Sequence, residues 1–192
     1  MPVLSTLVVM AAGQTQRIPW TIYPRVCNGG FDLDLAGDSK PEGWIPIDYS
    51  GKLKVQEMYQ KVNVDSAVKH GGKASLRLDP LASRGIKDAG VYLYPLMSTL
   101  APKTRYRVTA WMRQSAGGEG GFVCANQTAQ AEGERSADGW QRVARIITTG
   151  NRPGLAPIIL FNKGRTPVWF DELEVVLEPD NAAKQSAAKP EL

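Results

Sequence analysis

The chain has 192 residues, with 23 Lys and Arg against 19 Asp and Glu, a formal net charge of +4. That length suits one domain with a substantial core, and 43% hydrophobic with 22% charged residues excludes a chain disordered throughout. Two cysteines are too few for a disulfide framework or a four-cysteine zinc site, and no apolar run approaches the roughly 18 residues that a membrane-spanning helix needs.

Residues 1–25 read differently from the rest. Val3 to Ala12 is apolar and ends in small residues, with Ala11 and Gly13 spaced as in a secretory cleavage site, but no Lys or Arg precedes the run. A signal remnant and a retained arm that packs on something both fit. Arg17 to Arg25, with Pro19, Trp20, Tyr23 and Pro24, reads as an extended aromatic linker.

Residues 26–178 read as one β-sandwich domain. Predicted strands run over Leu53–Tyr59, Ala74–Leu78, Gly90–Tyr94, Tyr106–Ala110, Phe122–Asn126, Val143–Thr148, Ile158–Phe161 and Val168–Val176. Gly71-Gly72, Asp79-Pro80, Ala101-Pro102 and Gly150 to Gly154 separate them, and Gly117 to Gly121 reads as a hairpin loop. No sustained 3.6-residue period marks a major helix, so the predicted class is all-β, an antiparallel sandwich. Residues 179–192 lack large apolar groups and read as a short flexible tail.

Alternation along residues 105–113 turns Tyr106, Val108, Ala110 and Met112 inward, leaving Arg107, Trp111 and Arg113 on the other face. On the preceding strand Val91 and Leu93 face in while Tyr92 and Tyr94 face out. If these two strands pair, Tyr92, Tyr94, Arg107, Trp111 and Arg113 make one aromatic and guanidinium surface for stacking on sugar rings and bonding hydroxyls or carboxylates. The competing reading is ordinary packing beneath loops or the arm.

Several motifs stand in a particular order: Asn28-Gly29-Gly30-Phe31-Asp32, Pro41-Glu42-Gly43-Trp44, Gly71 to Leu78, Leu100 to Trp111, Gly139 to Val143 and Val168 to Leu173. This series resembles the carbohydrate-binding modules of families four, nine and twenty-two. The resemblance implies a galactose-binding-like jelly roll that is exported, holds a glycan on one sheet face and does no chemistry. It also implies that the first and last strands lie side by side, where Asp32 and Asp171 match the ligands of a structural calcium ion, with Asp34 nearby. Alternatively, Asp171 accepts backbone N–H groups, with Lys73 or Arg77 as counter-charge.

No nucleotide or serine-hydrolase motif occurs, and His70, the sole histidine, reads as a solvated loop residue; the chain is read as a non-enzyme. Cys27 and Cys124 read either as a disulfide or, preferably, as two separate buried thiols. A nucleic-acid role is disfavoured because the positive charge is small and unclustered. The alternative function is an accessory subunit of a larger envelope or membrane-associated complex, docking on a protein partner or bilayer through residues 1–25.

Overall fold

The computed structural model describes residues 8–11, 14–17, 26, 28–48, 51–81, 90–95, 100–152 and 158–178. The elements in chain order are β1 (Val8–Ala11), β2 (Gln14–Arg17), β3 (Trp44–Ile47), α1 (Val55–Tyr59), β4 (Val62–Asp65), β5 (Ser75–Leu78), β6 (Val91–Pro95), β7 (Arg105–Gln114), β8 (Gly120–Cys124), β9 (Gln127–Thr128), β10 (Gln130–Glu132), β11 (Trp140–Thr148), β12 (Ile158–Asn162) and β13 (Val168–Leu177). A six-stranded sheet runs β10-β11-β7-β13-β5-β4, and a five-stranded sheet runs β3-β6-β12-β8-β9. Every pairing is antiparallel, including an N-terminal β1–β2 ribbon.

One hydrophobic cluster joins the sheets. Leu76, Val108, Ala110 and Phe170 of the six-stranded sheet meet Trp44, Leu93, Phe122 and Leu160 of the five-stranded one. This is the two-layer sandwich that period-two patterning predicts. Tyr106, fully buried, heads β7 because its hydroxyl accepts the N–H of Ala101 at 3.0 Å. Asn162 ties the layers with polar bonds: its side chain donates to the carbonyls of Leu78 and Thr166 and accepts from the N–H of Gly164.

Three expectations are corrected. Residues 53–59 are not a strand: Val55–Tyr59 is a short helix. Its apolar residues Val55, Met58 and Tyr59 stand at i, i+3 and i+4, and Met58 is fully buried. Gly117 to Gly121 is not a hairpin loop, because β7 and β8 belong to different sheets and the segment crosses between layers. The tight hairpin is instead β8–β9, where Ala125 and Asn126 both take positive φ, 49° and 61°, as a two-residue turn demands. Finally, β6 and β7 do not pair, since β6 lies between β3 and β12. The tail 179–192, the linker 18–25 and Cys27 lie outside the described residues. Cys124 is a free, buried thiol whose burial pushes its pKa up to about 12.

Candidate functional site

The surface assembled from sequence divides in two. Tyr92 and Tyr94 lie on the outer face of the five-stranded sheet, whereas Arg107, Trp111 and Arg113 lie on the outer face of the six-stranded sheet. The inward neighbours of both sets share the core between them, so the two sets look out of opposite sides of the sandwich.

The six-stranded face is built as a row. Strand register aligns Trp140, Arg113, Trp169, Arg77 and Asn63 across β11, β7, β13, β5 and β4. The guanidiniums of Arg77 and Arg113 each sit 5.8 Å from the centroid of the Trp169 ring. The indole N–H of Trp169 donates to Asp65 Oδ2 at 2.9 Å. In the next row Trp111 lies between Arg142 and Asp171. His70 stacks on Trp111, with centroids 3.9 Å apart and planes 16° apart, and meets Trp140 edge-on at 5.7 Å. Trp140 is fully buried beneath this arrangement. His70 is thus no solvated loop residue; it caps two tryptophans. Arg107 is held by Glu132 and, at 3.1 Å, by Glu178, and those hydrogen bonds raise its pKa above the usual guanidinium value.

What seats the cap is a bulge in β13. Register with β7 shifts between Asp171 and Glu174 by one residue, and Glu172 takes φ of 47°. The extra residue resets the alternation, so Phe170 and Leu173 both point inward and Asp171 points out. Asp171 Oδ2 accepts the N–H groups of His70 at 2.8 Å and Gly71 at 3.0 Å, and Glu172 Oε2 reaches His70 Nδ1 at 3.0 Å. Gly29 packs against the same bulge: its carbonyl accepts the N–H of Leu173, and a Cβ on it would overlap the Leu173 carbonyl oxygen.

Asp32 holds the other end of the loop, with Oδ1 accepting the N–H groups of Lys73 at 2.6 Å and Ala74 at 3.0 Å. Asp32 and Asp171 therefore do converge on residues 70–74, but the groups aimed at them are donors. A calcium ion needs oxygens around it, and one binding here would have to displace those amides. Among the described residues no three His, Cys, Asp or Glu side chains gather in a metal-holding group. The pair fits the amide-acceptor alternative and is a poor match to a cation. Burial raises the pKa of Asp171, against the lowering by its hydrogen bonds to Gly71, His70 and Glu172.

The five-stranded face is different. Register places Ile47, Tyr92, Phe161 and Gly121 in one row, and the pairs Ile45–Tyr94 and Ile159–Val123 in the next. Tyr92 is only 7% exposed, while Tyr94, Phe161, Ile159 and Val123 are half-buried and Ile45 is 37% exposed. Gly121 has no side chain because the Phe161 ring lies over it, 2.9 Å from where a Cβ would stand. Lys163, next in alternation after Phe161, sets its ammonium 5.5 Å from the Phe161 centroid and 5.7 Å from that of Tyr92. At the β3 edge the face runs to a cleft lined by Ile45, Tyr59, Lys40, Asp38 and Glu42. Sequence reasoning missed Ile45, Ile159, Phe161 and Lys163. The one signal available was the unbroken apolar run Ile158-Ile159-Leu160-Phe161, which marks a strand with no water-facing polar side.

No protein-family model and no curated protein matches the chain. Solved structures do. One is a family 16 carbohydrate-binding module, 15% identical, TM-score 0.44, matched over 74% of this chain and 99% of that one. Another holds the CBM22-1 and GH10 modules of Clostridium thermocellum endo-1,4-beta-D-xylanase 10B, 10% identical, TM-score 0.49, over 82% of this chain. A third is the enzymatically active domain of bacteriophage CBA120 tailspike protein 4, 12% identical, TM-score 0.50, also over 82%. The match spans 28% of the xylanase chain and 22% of the tailspike chain. What is shared at such identities is the fold. With two antiparallel sheets of five and six strands closed over one core, the chain is a jelly-roll β-sandwich.

Proposed function

We propose that this chain is a non-catalytic, exported binding module that holds a glycan across the outer face of its five-stranded sheet. The observation that carries the reading is the contrast in what already occupies each set of aromatics. Trp111 is stacked by His70 and Trp140 is buried, so two of the three tryptophans of the six-stranded face are already engaged by the chain, and Trp169, half-buried, lies beside two guanidiniums. Tyr94, Phe161, Ile159 and Ile45 present partly exposed apolar surface in adjoining rows. Flat aromatic rings and the C–H faces of pyranoses stack because both are apolar and complementary in shape. A row about three strands wide spans roughly 10 Å at 4.8 Å between strands, enough for two sugar rings.

Affinity electrophoresis through gels loaded with a panel of plant, bacterial and algal polysaccharides tests the reading. The wild type should be retarded by at least one polymer. Tyr94→Ala should bind that polymer about tenfold more weakly, the equivalent of one lost ring contact. Trp111→Ala should retain binding. If no polymer retards the protein, the function is wrong; if Trp111→Ala loses binding and Tyr94→Ala keeps it, the face is wrong.

A further inference from the structure

Resting on the glycan reading of the five-stranded face, we infer that the ligand carries negative charge, an acid group on its sugar ring held by Lys163. Lys163 is exposed, but its course is set by its neighbours. Asn162, fully buried and bonded to Leu78, Thr166 and Gly164, fixes the end of β12, and the Lys163 N–H donates to the Glu119 carbonyl at 3.0 Å. The lysine stem then crosses Gly90, where a Cβ would stand only 3.1 Å from Lys163 Cγ and 3.2 Å from Tyr92 Cε2. Glycine at 90 thus makes room for the stem beside the tyrosine. The ammonium ends above two rings, Phe161 and Tyr92.

The ammonium in that place has been given two π faces. Among the described residues no Asp or Glu pairs with Lys163; on the opposite sheet Arg77, Arg107 and Arg142 have carboxylate partners, while Arg113 lies over Trp169 without one. The ring quadrupoles orient the ammonium without neutralising it, leaving its outward N–H groups for an anion. A neutral sugar stacked on Phe161 would use the rings and leave the charge unmet. A uronate or sulfated sugar stacked there would bring its acid group to the ammonium of Lys163. Carboxylate and sulfate present the same chemistry to an ammonium, so both are candidate sources.

The test measures binding of purified full-length protein by isothermal titration calorimetry to polygalacturonate, to its fully methyl-esterified form and to dextran sulfate. Lys163→Met and Lys163→Arg are compared with Lys69→Met, an exposed lysine on the loop over the opposite sheet. Binding to polygalacturonate about tenfold tighter than to the ester, lost in Lys163→Met but kept in Lys163→Arg and Lys69→Met, supports the inference with a carboxylate as the anion. The same pattern confined to dextran sulfate supports it with a sulfate. Equal losses in Lys163→Met and Lys69→Met indicate general charge attraction and overturn it. Equal affinity for the acid and ester forms, unchanged in Lys163→Met, overturns it too, while leaving the glycan reading of the face intact. Absence of binding to any polysaccharide, charged or neutral, removes both.

Discussion

The two outer faces of this sandwich carry similar residue types and use them in opposite ways. Both have large aromatics beside cationic side chains. On the six-stranded face the aromatics form a laminate: His70 on Trp111, guanidiniums along Trp169, and Asp65 on the Trp169 indole N–H. On the five-stranded face the rings of Tyr94 and Phe161 stay half-exposed, and the nearby ammonium of Lys163 has no acidic partner among the described residues. An aromatic-plus-cation surface is therefore not a binding site by composition. The deciding question is whether a loop of the same chain has already taken the place of a ligand. Here the segment from Asp65 to Ala74 has done so, pinned by Asp171 at one end and Asp32 at the other.

The largest effect that separates the faces should come from Trp140→Ala. Removing a fully buried tryptophan from the laminate costs about 3–5 kcal/mol in a cavity that the rigid sheet cannot close. Glycan affinity measured well below the melting temperature should not change, because the lost side chain faces the other way. Tyr94→Ala should do the reverse, weakening glycan binding while shifting stability by less than about 1 kcal/mol. A chemical-denaturation midpoint and a binding isotherm on each variant check the pair. If Trp140→Ala weakens binding at full folding, the division into a structural and a binding face fails.

The fold was legible because burial of one face per strand imposes a two-residue period, and Ser75–Leu78, β7 and β13 obey it well enough to count. The motifs also prove to have local reasons. Gly29 makes room for the Leu173 carbonyl, Phe31 packs on Trp44 at 5.1 Å in the core, and Asp32 anchors the loop. The composition of the candidate site was not legible, for two physical reasons. Alternation tells which side of a strand a residue occupies but not which sheet the strand joins, and β6 joined the sheet opposite β7. The second is the bulge at Glu172, whose extra residue inverts the alternation that assigns Asp171 and Leu173, and nothing in the residue types of Asp171-Glu172-Leu173 announces it. His70 illustrates the same limit, since a loop residue becomes a cap only through two tryptophans 41 and 70 positions away.

A smaller effect tests how the laminate is wired electrically. Two of its carboxyls are shifted in opposite directions. Burial alone would push Asp65 up, but the Trp169 indole, the N–H groups of Val68 and Ala67, and Arg77 outweigh it and hold the pKa below 3.8. Asp171 is raised above 3.8, burial dominating its three N–H donors. A depressed carboxyl adds stability that is present above the unfolded pKa and fades as pH falls through the folded value. A raised one binds its proton more tightly in the folded state, so its contribution is greatest at low pH and is lost as pH rises through the folded value. Asp65→Asn should therefore lower stability by about 1 kcal/mol near neutral pH, the scale of one ordinary hydrogen bond at this partly exposed site, and the deficit should shrink below 3.8. For Asp171→Asn the deficit relative to wild type should instead be largest in acid and diminish as pH rises past 3.8. Urea melts of the three proteins from about pH 3 to about pH 7 read both slopes at once. Parallel curves would mean that the loop is held by packing of His70 on the tryptophans, with the carboxylates as bystanders.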